Sequence, residues 1–195
     1  MNLTTYRTYI RSAFVAVILS VPLALVLPVE VSFENGLNEN AQVVILFIGA
    51  ILMLRVRSRM KWFQIFFAMG LVLMALRELS WGRVFFPIDF EELGAVFVTM
   101  AEYKYRVHVY AFLVVYISAM IFILIRFVPI KKILRGRQPI AAFAVMILAI
   151  AFNYIGEHGF FIGKACGQIL EELNELIFYV TLIVAGLYYC NDNNF

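Results

Sequence analysis

The residues able to do chemistry here are carboxylates and imidazoles set in an otherwise apolar chain, and their spacing is helical. Gln168, Glu172, Glu175 and Tyr179 recur at offsets of four, three and four, which places them in one stripe along a helix. Asn153 and Glu157 are four apart and share a face. Glu102 and Arg106 are also four apart and can pair. Arg77 and Glu78 are adjacent, so a helix points them in different directions. The two histidines, His108 and His158, each lie at the end of an apolar run, and Glu39 lies just inside the start of another.

This set suits two kinds of chemistry. A carboxylate beside an imidazole can move protons as a general acid–base pair. Glu and His side chains from several helices can also hold a divalent metal such as zinc, whose bound water ionises near neutral pH. The sequence contains no HExxH or Glu-x-x-His motif to focus the metal reading. The expected acid–base residues are Glu78, His108, Glu172 and Glu175. Glu39, Glu157 and His158 are the expected metal ligands. Arg77 and Arg106 are expected to hold a phosphate head group, since the guanidinium fork suits bidentate phosphate contacts. The plainer alternative is that the histidines are interfacial hydrogen bonders and that the acids pair with arginine to fix helix packing.

Elements that position such residues follow from composition. The chain has 195 residues, 64% of them hydrophobic and 15% charged, against roughly 25% charged in a soluble domain. Its mean hydropathy is +0.89. A membrane-spanning helix needs about 20 mainly apolar residues. Six runs qualify: Ala13–Val29, Leu37–Leu54, Trp62–Ser80, Val107–Phe127, Pro139–Ile155 and Glu172–Tyr189. The expectation is an all-α polytopic bundle, a single transmembrane domain over residues 1–195. A short interfacial or re-entrant helix is expected at 90–101, between the third and fourth spans. Asp89 would cap it, with Glu92 closing a capping box, and Phe90, Leu93, Phe97 and Met100 would share one face. The first run is too long for a secretory leader and no small-x-small site closes it, so it reads as a helix.

Charge gives an orientation. Arg7 and Arg11, the cluster from Arg55 to Lys61 and the cluster from Lys131 to Arg137 all fall on one side of six spans. The positive-inside rule makes that side cytoplasmic, with both termini inside a bacterial inner membrane. Of thirteen acids, all but Asp192 fall on the opposite side, as do both histidines. That rule says little about acids, so the acidic bias needs its own reason. Several spans reach full length only by drawing in acids. Ala41–Leu54, at 1.5 Å per residue, covers about 21 Å of a hydrocarbon core near 30 Å thick. Extending it brings Gln42, Glu39 and Asn38 to membrane depth. A carboxylate facing lipid is costly, so these groups are expected to face a polar cavity open to the outside. Cys166 and Cys190 fall on opposite sides, which argues against a disulfide.

Three segments resemble those of a set of uncharacterised bacterial multi-pass membrane proteins: Glu34-Asn35-Gly36-Leu37-Asn38-Glu39, Arg77-Glu78-Leu79-Ser80-Trp81-Gly82-Arg83 and Glu171-Glu172-Leu173-Asn174-Glu175. Those proteins carry an E-D/N-G-x-x-E segment, an E-E-x-S-W-G-Q-like segment and an E-E-x-x-E segment. Here Arg77 and Arg83 replace the first Glu and the Gln of the second. The resemblance implies that Glu34, Glu39, Glu78, Glu172 and Glu175 form one unit; it implies no activity.

The leading expectation is a membrane-embedded enzyme acting on a lipid or lipid-linked substrate from the outer leaflet. A proton- or cation-linked transporter is the alternative, and a structural or accessory subunit a further one. Expected partners are membrane lipids, and beyond them a homo-oligomer or larger membrane complex; no nucleic-acid motif is present.

Overall fold

A computed structural model describes residues 3–28, 31, 36–91, 94–160 and 162–190. Glu30, Glu34, Glu92 and Asp192 lie outside them, and with them the expected capping box. The described residues form a helical bundle: α1 (Leu3–Val26), α2 (Leu37–Arg55), α3 (Lys61–Glu78), α4 (Arg106–Arg126), α5 (Ile130–Arg135), α6 (Ile140–Glu157) and α7 (Gly163–Tyr189). Four of these, α1, α2, α4 and α6, are long and apolar enough to cross a membrane by length and composition. In hydrocarbon a helix satisfies its own backbone groups, which is why apolar runs of this length fold this way. Two helices begin earlier than expected from hydropathy alone. Arg7 and Arg11 stand within α1 instead of before it, and α7 starts at Gly163 instead of Glu172.

α7 is the central element. It packs on α6 and α1 along one side and on α2 along another, while α3 lies against α2. Apolar burial gains little against lipid tails, so close backbone approach and interhelical hydrogen bonds must hold such a bundle. Both are present. A Cβ on Gly156 would lie 2.5 Å from the Gly167 carbonyl oxygen, so α6 and α7 meet backbone to backbone at that point. Between α2, α3 and α7, Leu46, Met53 and Leu71 are sealed from outside. α4 buries none of its side chains and touches α3, where the Tyr116 hydroxyl donates to the Met69 carbonyl at 3.0 Å.

The base-rich ends of the helices come together. Tyr6 of α1 packs at a tilt against Tyr188 of α7 at 4.7 Å, and Trp62 of α3 stacks on Phe127 beyond α4 at 4.3 Å. The Gln64 side chain donates to the Met53 and Val56 carbonyls, closing the α2–α3 turn. Cys166 and Cys190 are free thiols near opposite ends of α7, as expected.

The expected helix at 90–101 is instead a β-hairpin, β1 (Pro87–Glu91) and β2 (Gly94–Phe97), antiparallel with Glu91 opposite Gly94 and Asp89 opposite Val96. Ile88-Asp89-Phe90-Glu91 alternates apolar and acidic residues with a period of two, and Val96, Phe97 and Val98 are strong strand formers. That pattern outweighs the looser helical spacing of Phe90, Leu93, Phe97 and Met100. Tyr103 is buried against Phe86 and Tyr105 at the foot of this hairpin.

Candidate functional site

The acidic ends of four elements converge on one cavity of about 590 Å³. α2 contributes Glu39, α3 contributes Arg77 and Glu78, and Ser80 follows. Gly156 and Glu157 close α6, with His158 next, and α7 presents Lys164, Gln168, Glu171, Glu172 and Glu175. Gln168, Glu172 and Glu175 of the α7 stripe line this cavity, and acids from four helices share it. Six carboxylates face two fixed cations, Arg77 and Lys164.

Among the described residues Glu172 is held by amides and by no cation. The Gln42 amide donates to its Oε2 at 2.9 Å and to its backbone carbonyl at 3.2 Å, and the Asn38 amide donates to the same Oε2 at 3.3 Å. Two amides from α2 thus fix one carboxylate oxygen of α7. Gln42 is fully buried, and its Oε1 has no hydrogen-bond partner among the described residues. Turning its amide over would set Oε1 against the carboxylate, so the orientation is decided by charge.

Arg77 holds two more of the six. Its Nη2 lies 2.8 Å from Glu175 Oε1, and its Nε lies 3.3 Å from Glu78 Oε1. The expectation that Arg77 and Glu78 diverge is corrected here: the long arginine stem lets the guanidinium reach back to its neighbour while still meeting α7. The Tyr179 hydroxyl donates to the same Glu78 oxygen at 2.6 Å, and Glu78 is buried. Glu175, Arg77, Glu78 and Tyr179 therefore form one chain of contacts between α3 and α7.

α3 ends in an unusual turn beside this chain. Ser80, Trp81 and Gly82 have φ of 44°, 57° and 88°. Left-handed backbone suits Gly82 but is uncommon for a bulky residue such as Trp81. Arg83 clamps the turn, donating from Nε to the Ser80 carbonyl at 3.1 Å and from Nη1 to the Val98 carbonyl at 3.0 Å. Ser80 is thereby held at the cavity wall.

A second, smaller cavity of about 230 Å³ lies deeper, floored by Asn174, Glu175, Phe178 and Tyr179 of α7. Met74 and Arg77 of α3 form one wall; Ala149, Ile150 and Asn153 of α6 form the other. Arg77 and Glu175 line both cavities. Asn174 is fully buried; its amide nitrogen donates to Ser20 Oγ at 3.0 Å and to the Leu170 carbonyl at 2.8 Å, while its Oδ1 has no partner among the described residues.

Two expected site residues stand elsewhere. His108 packs on Tyr105 near the start of α4, and Arg106 donates to the Ala101 carbonyl. The expected Glu102–Arg106 pair is replaced by a 3.0 Å bond from Thr99 Oγ1 to Glu102. Neither His108 nor Arg106 lines the acidic cavity. His158 does, stacked on Phe160 and packed at a tilt against Tyr154. Among the described residues no three His, Cys, Asp or Glu side chains converge closely enough to hold a metal ion. The set Glu39, Glu157 and His158 shares a cavity but does not fit a zinc centre. Sequence reasoning passed over Lys164 and the Ser20–Asn174 bond; Ser20 sits in an unbroken apolar run, where a lone polar residue is itself a signal.

No family model, curated protein or solved structure matches this chain.

Proposed function

We propose that this is a six-span integral protein of a bacterial cytoplasmic membrane, with both termini in the cytoplasm, whose acidic cavity opens to the outside and acts on a lipid or lipid-linked substrate by carboxylate acid–base chemistry. α3, which carries Lys61, Arg77 and Glu78, and α7, which carries Lys164, Glu171, Glu172 and Glu175, complete the six spans in this reading. The observation that carries this reading is the meeting of two cavities at Arg77 and Glu175: a wide polar one and a half-apolar one walled by α3 and α6. That is a shape for a molecule with one polar and one apolar end. Pockets for small ligands run to roughly 300–1,000 Å³, which suits the wider one.

Within this reading Glu172 and Glu78 are the proton-transfer groups. Glu172 is aimed by Asn38 and Gln42, and Glu78 by Tyr179 and Arg77. Arg77 acts as a positioning residue; its guanidinium already serves two carboxylates, which leaves it poorly placed for a phosphate. Transport is less favoured because the path beyond Tyr179 closes on Leu46, Leu71 and Met53, at most 1% exposed. An ion pathway needs polar groups along its length.

The test is reconstitution into liposomes of bacterial lipid extract, with lipid species followed by mass spectrometry. Wild type should convert a lipid class, and Glu172→Gln and Glu78→Gln should fold yet lose at least about a hundredfold in rate, the lower range for a general acid or base. Proton or cation flux by the protein alone, with no lipid change, would replace this reading by transport.

A further inference from the structure

We infer that the joined cavities take a cationic amphiphile: a primary ammonium head at the Arg77–Glu175 junction and an alkyl chain leaving between α3 and α6. This rests on the cavity acting on a lipid-borne molecule and specifies its head group. The first argument is hydrogen-bond balance. The site has more acceptors than donors. Six carboxylates face Arg77 and Lys164, and Arg77 is committed to Glu78 and Glu175.

One further acceptor at the floor of the deeper cavity is fully buried and unmatched among the described residues: Asn174 Oδ1. Its amide cannot turn over to relieve this, because that would set its oxygen against the Leu170 carbonyl. A buried acceptor left unmatched costs about 1–3 kcal/mol. A ligand completing this site must therefore bring N–H donors and positive charge. An ammonium supplies three donors and no acceptor; a phosphate would add acceptors and negative charge to a site already rich in both.

The second argument is shape. α3 and α6 stand apart on either side of α7, so the smaller cavity is a cleft between them, not a closed pocket. Ile150 on its wall is 54% exposed, and Met74 and Phe178 complete an apolar flank. In a bilayer this flank meets acyl chains. At about 230 Å³ the cleft holds a head group and the first part of a chain, the remainder lying in lipid.

The experiment is thermal unfolding of the full chain in maltoside micelles, titrated with dodecylamine, dodecyl phosphate and butylamine. Dodecylamine should raise the midpoint saturably; dodecyl phosphate and butylamine should not. Asn174→Leu and Glu175→Gln should each weaken the dodecylamine effect at least about tenfold, the loss expected for one hydrogen bond to a charged group. Both changes touch packing contacts, so Ile150→Trp, which fills the cleft from an exposed position, is the safer variant and should weaken it similarly. Equal or stronger stabilisation by dodecyl phosphate, no saturable response to dodecylamine, or an unchanged response in Ile150→Trp would each overturn the assignment. Binding is read here without turnover. Saturable dodecylamine binding with no lipid conversion keeps this site and removes the enzyme, whereas conversion of a lipid with a purely anionic head removes this site and keeps the enzyme.

Discussion

Arg77 meets two carboxylates from different directions, one on its own helix and one on α7, and this makes it the residue on which the local charge balance depends. Its side chain is 59% exposed while those of Glu78 and Glu175 are 6% and 18% exposed. Solvent screens the guanidinium, so the full cost of breaking a buried pair does not apply. Arg77→Met should still lower stability by about 1–3 kcal/mol, because it strands two poorly solvated acids. For a chain of this size that is a fall of roughly 2–12 °C in the thermal midpoint. Arg77→Lys should recover only part of it, since one ammonium cannot present two nitrogens in a fixed fork. A midpoint unchanged in Arg77→Met would show the two contacts to be exposed pairs of no consequence. Tyr179→Phe isolates the other side of Glu78. It removes the hydroxyl that donates at 2.6 Å but leaves Arg77 in place. The expected cost is about 1 kcal/mol, between the average of about 0.6 and the upper end near 1.7 for an interhelical hydrogen bond in a membrane, read from the same unfolding curve. A loss well above that would mean that Arg77 cannot hold Glu78 alone.

Glycines separate the contacts that build the bundle from those that do not. On Gly156 a Cβ would sit 2.5 Å from the Gly167 carbonyl oxygen and 2.7 Å from the Glu171 amide nitrogen, both backbone atoms. Gly156→Ala should therefore force α6 and α7 apart and cost about 1–3 kcal/mol, as overpacking does. It should also disturb the cavity, because Glu157 and Glu171 flank the contact. Gly70 in α3 is the control. Its nearest foreign atom would be Met120 Cε at 3.8 Å, so Gly70→Ala should gain up to about 1 kcal/mol from helix propensity. Equal midpoints for the two variants would refute the close crossing. Reading the sequence finds helices far more readily than crossings of this kind. The apolar runs and the α7 stripe were legible because a 3.6-residue period and a hydrocarbon thickness are properties of one segment. Which acids share a cavity was partly legible, since cost forbids Glu39, Glu78, Glu172 and Glu175 from facing lipid. His108 and Arg106 were misplaced because their depth matches the site but their helix, α4, packs at the edge of the bundle. Depth is written in the sequence; position around the bundle is a contact between segments. The hairpin at 87–97 was missed for a different reason: over so short a stretch periods of two and 3.6 overlap.

At the scale of the molecule the charges are separated end to end. Tyr6, Trp62 and Tyr188 pack among the basic ends of the helices, and the acidic cavity lies at the ends where α2 and α7 begin and α3 and α6 finish. α7 joins the two ends. Its 27 residues span about 40 Å at 1.5 Å per residue, more than the roughly 30 Å of hydrocarbon. The native thiols mark its ends, Cys166 half-buried near the cavity and Cys190 buried among the basic ends. This gives a topology test that needs little engineering. In intact cells a membrane-impermeant maleimide should label Cys166, and Cys166→Ser should abolish that labelling. Cys190 should stay unlabelled even in opened membranes, since it is 1% exposed. A thiol placed in the basic loop by Lys131→Cys, in a Cys166→Ser background, should react only after the membrane is opened. Labelling of Lys131→Cys from outside would invert the protein and turn the acidic cavity to the cytoplasm, where a different lipid leaflet would supply its ligand. Labelling of both positions from outside would mean an even number of crossings between them, whereas six alternating spans place a single one, α6, between Lys131 and Cys166. Only the first outcome joins the basic loops, the acid-lined cavity and a substrate drawn from the outer leaflet into one arrangement.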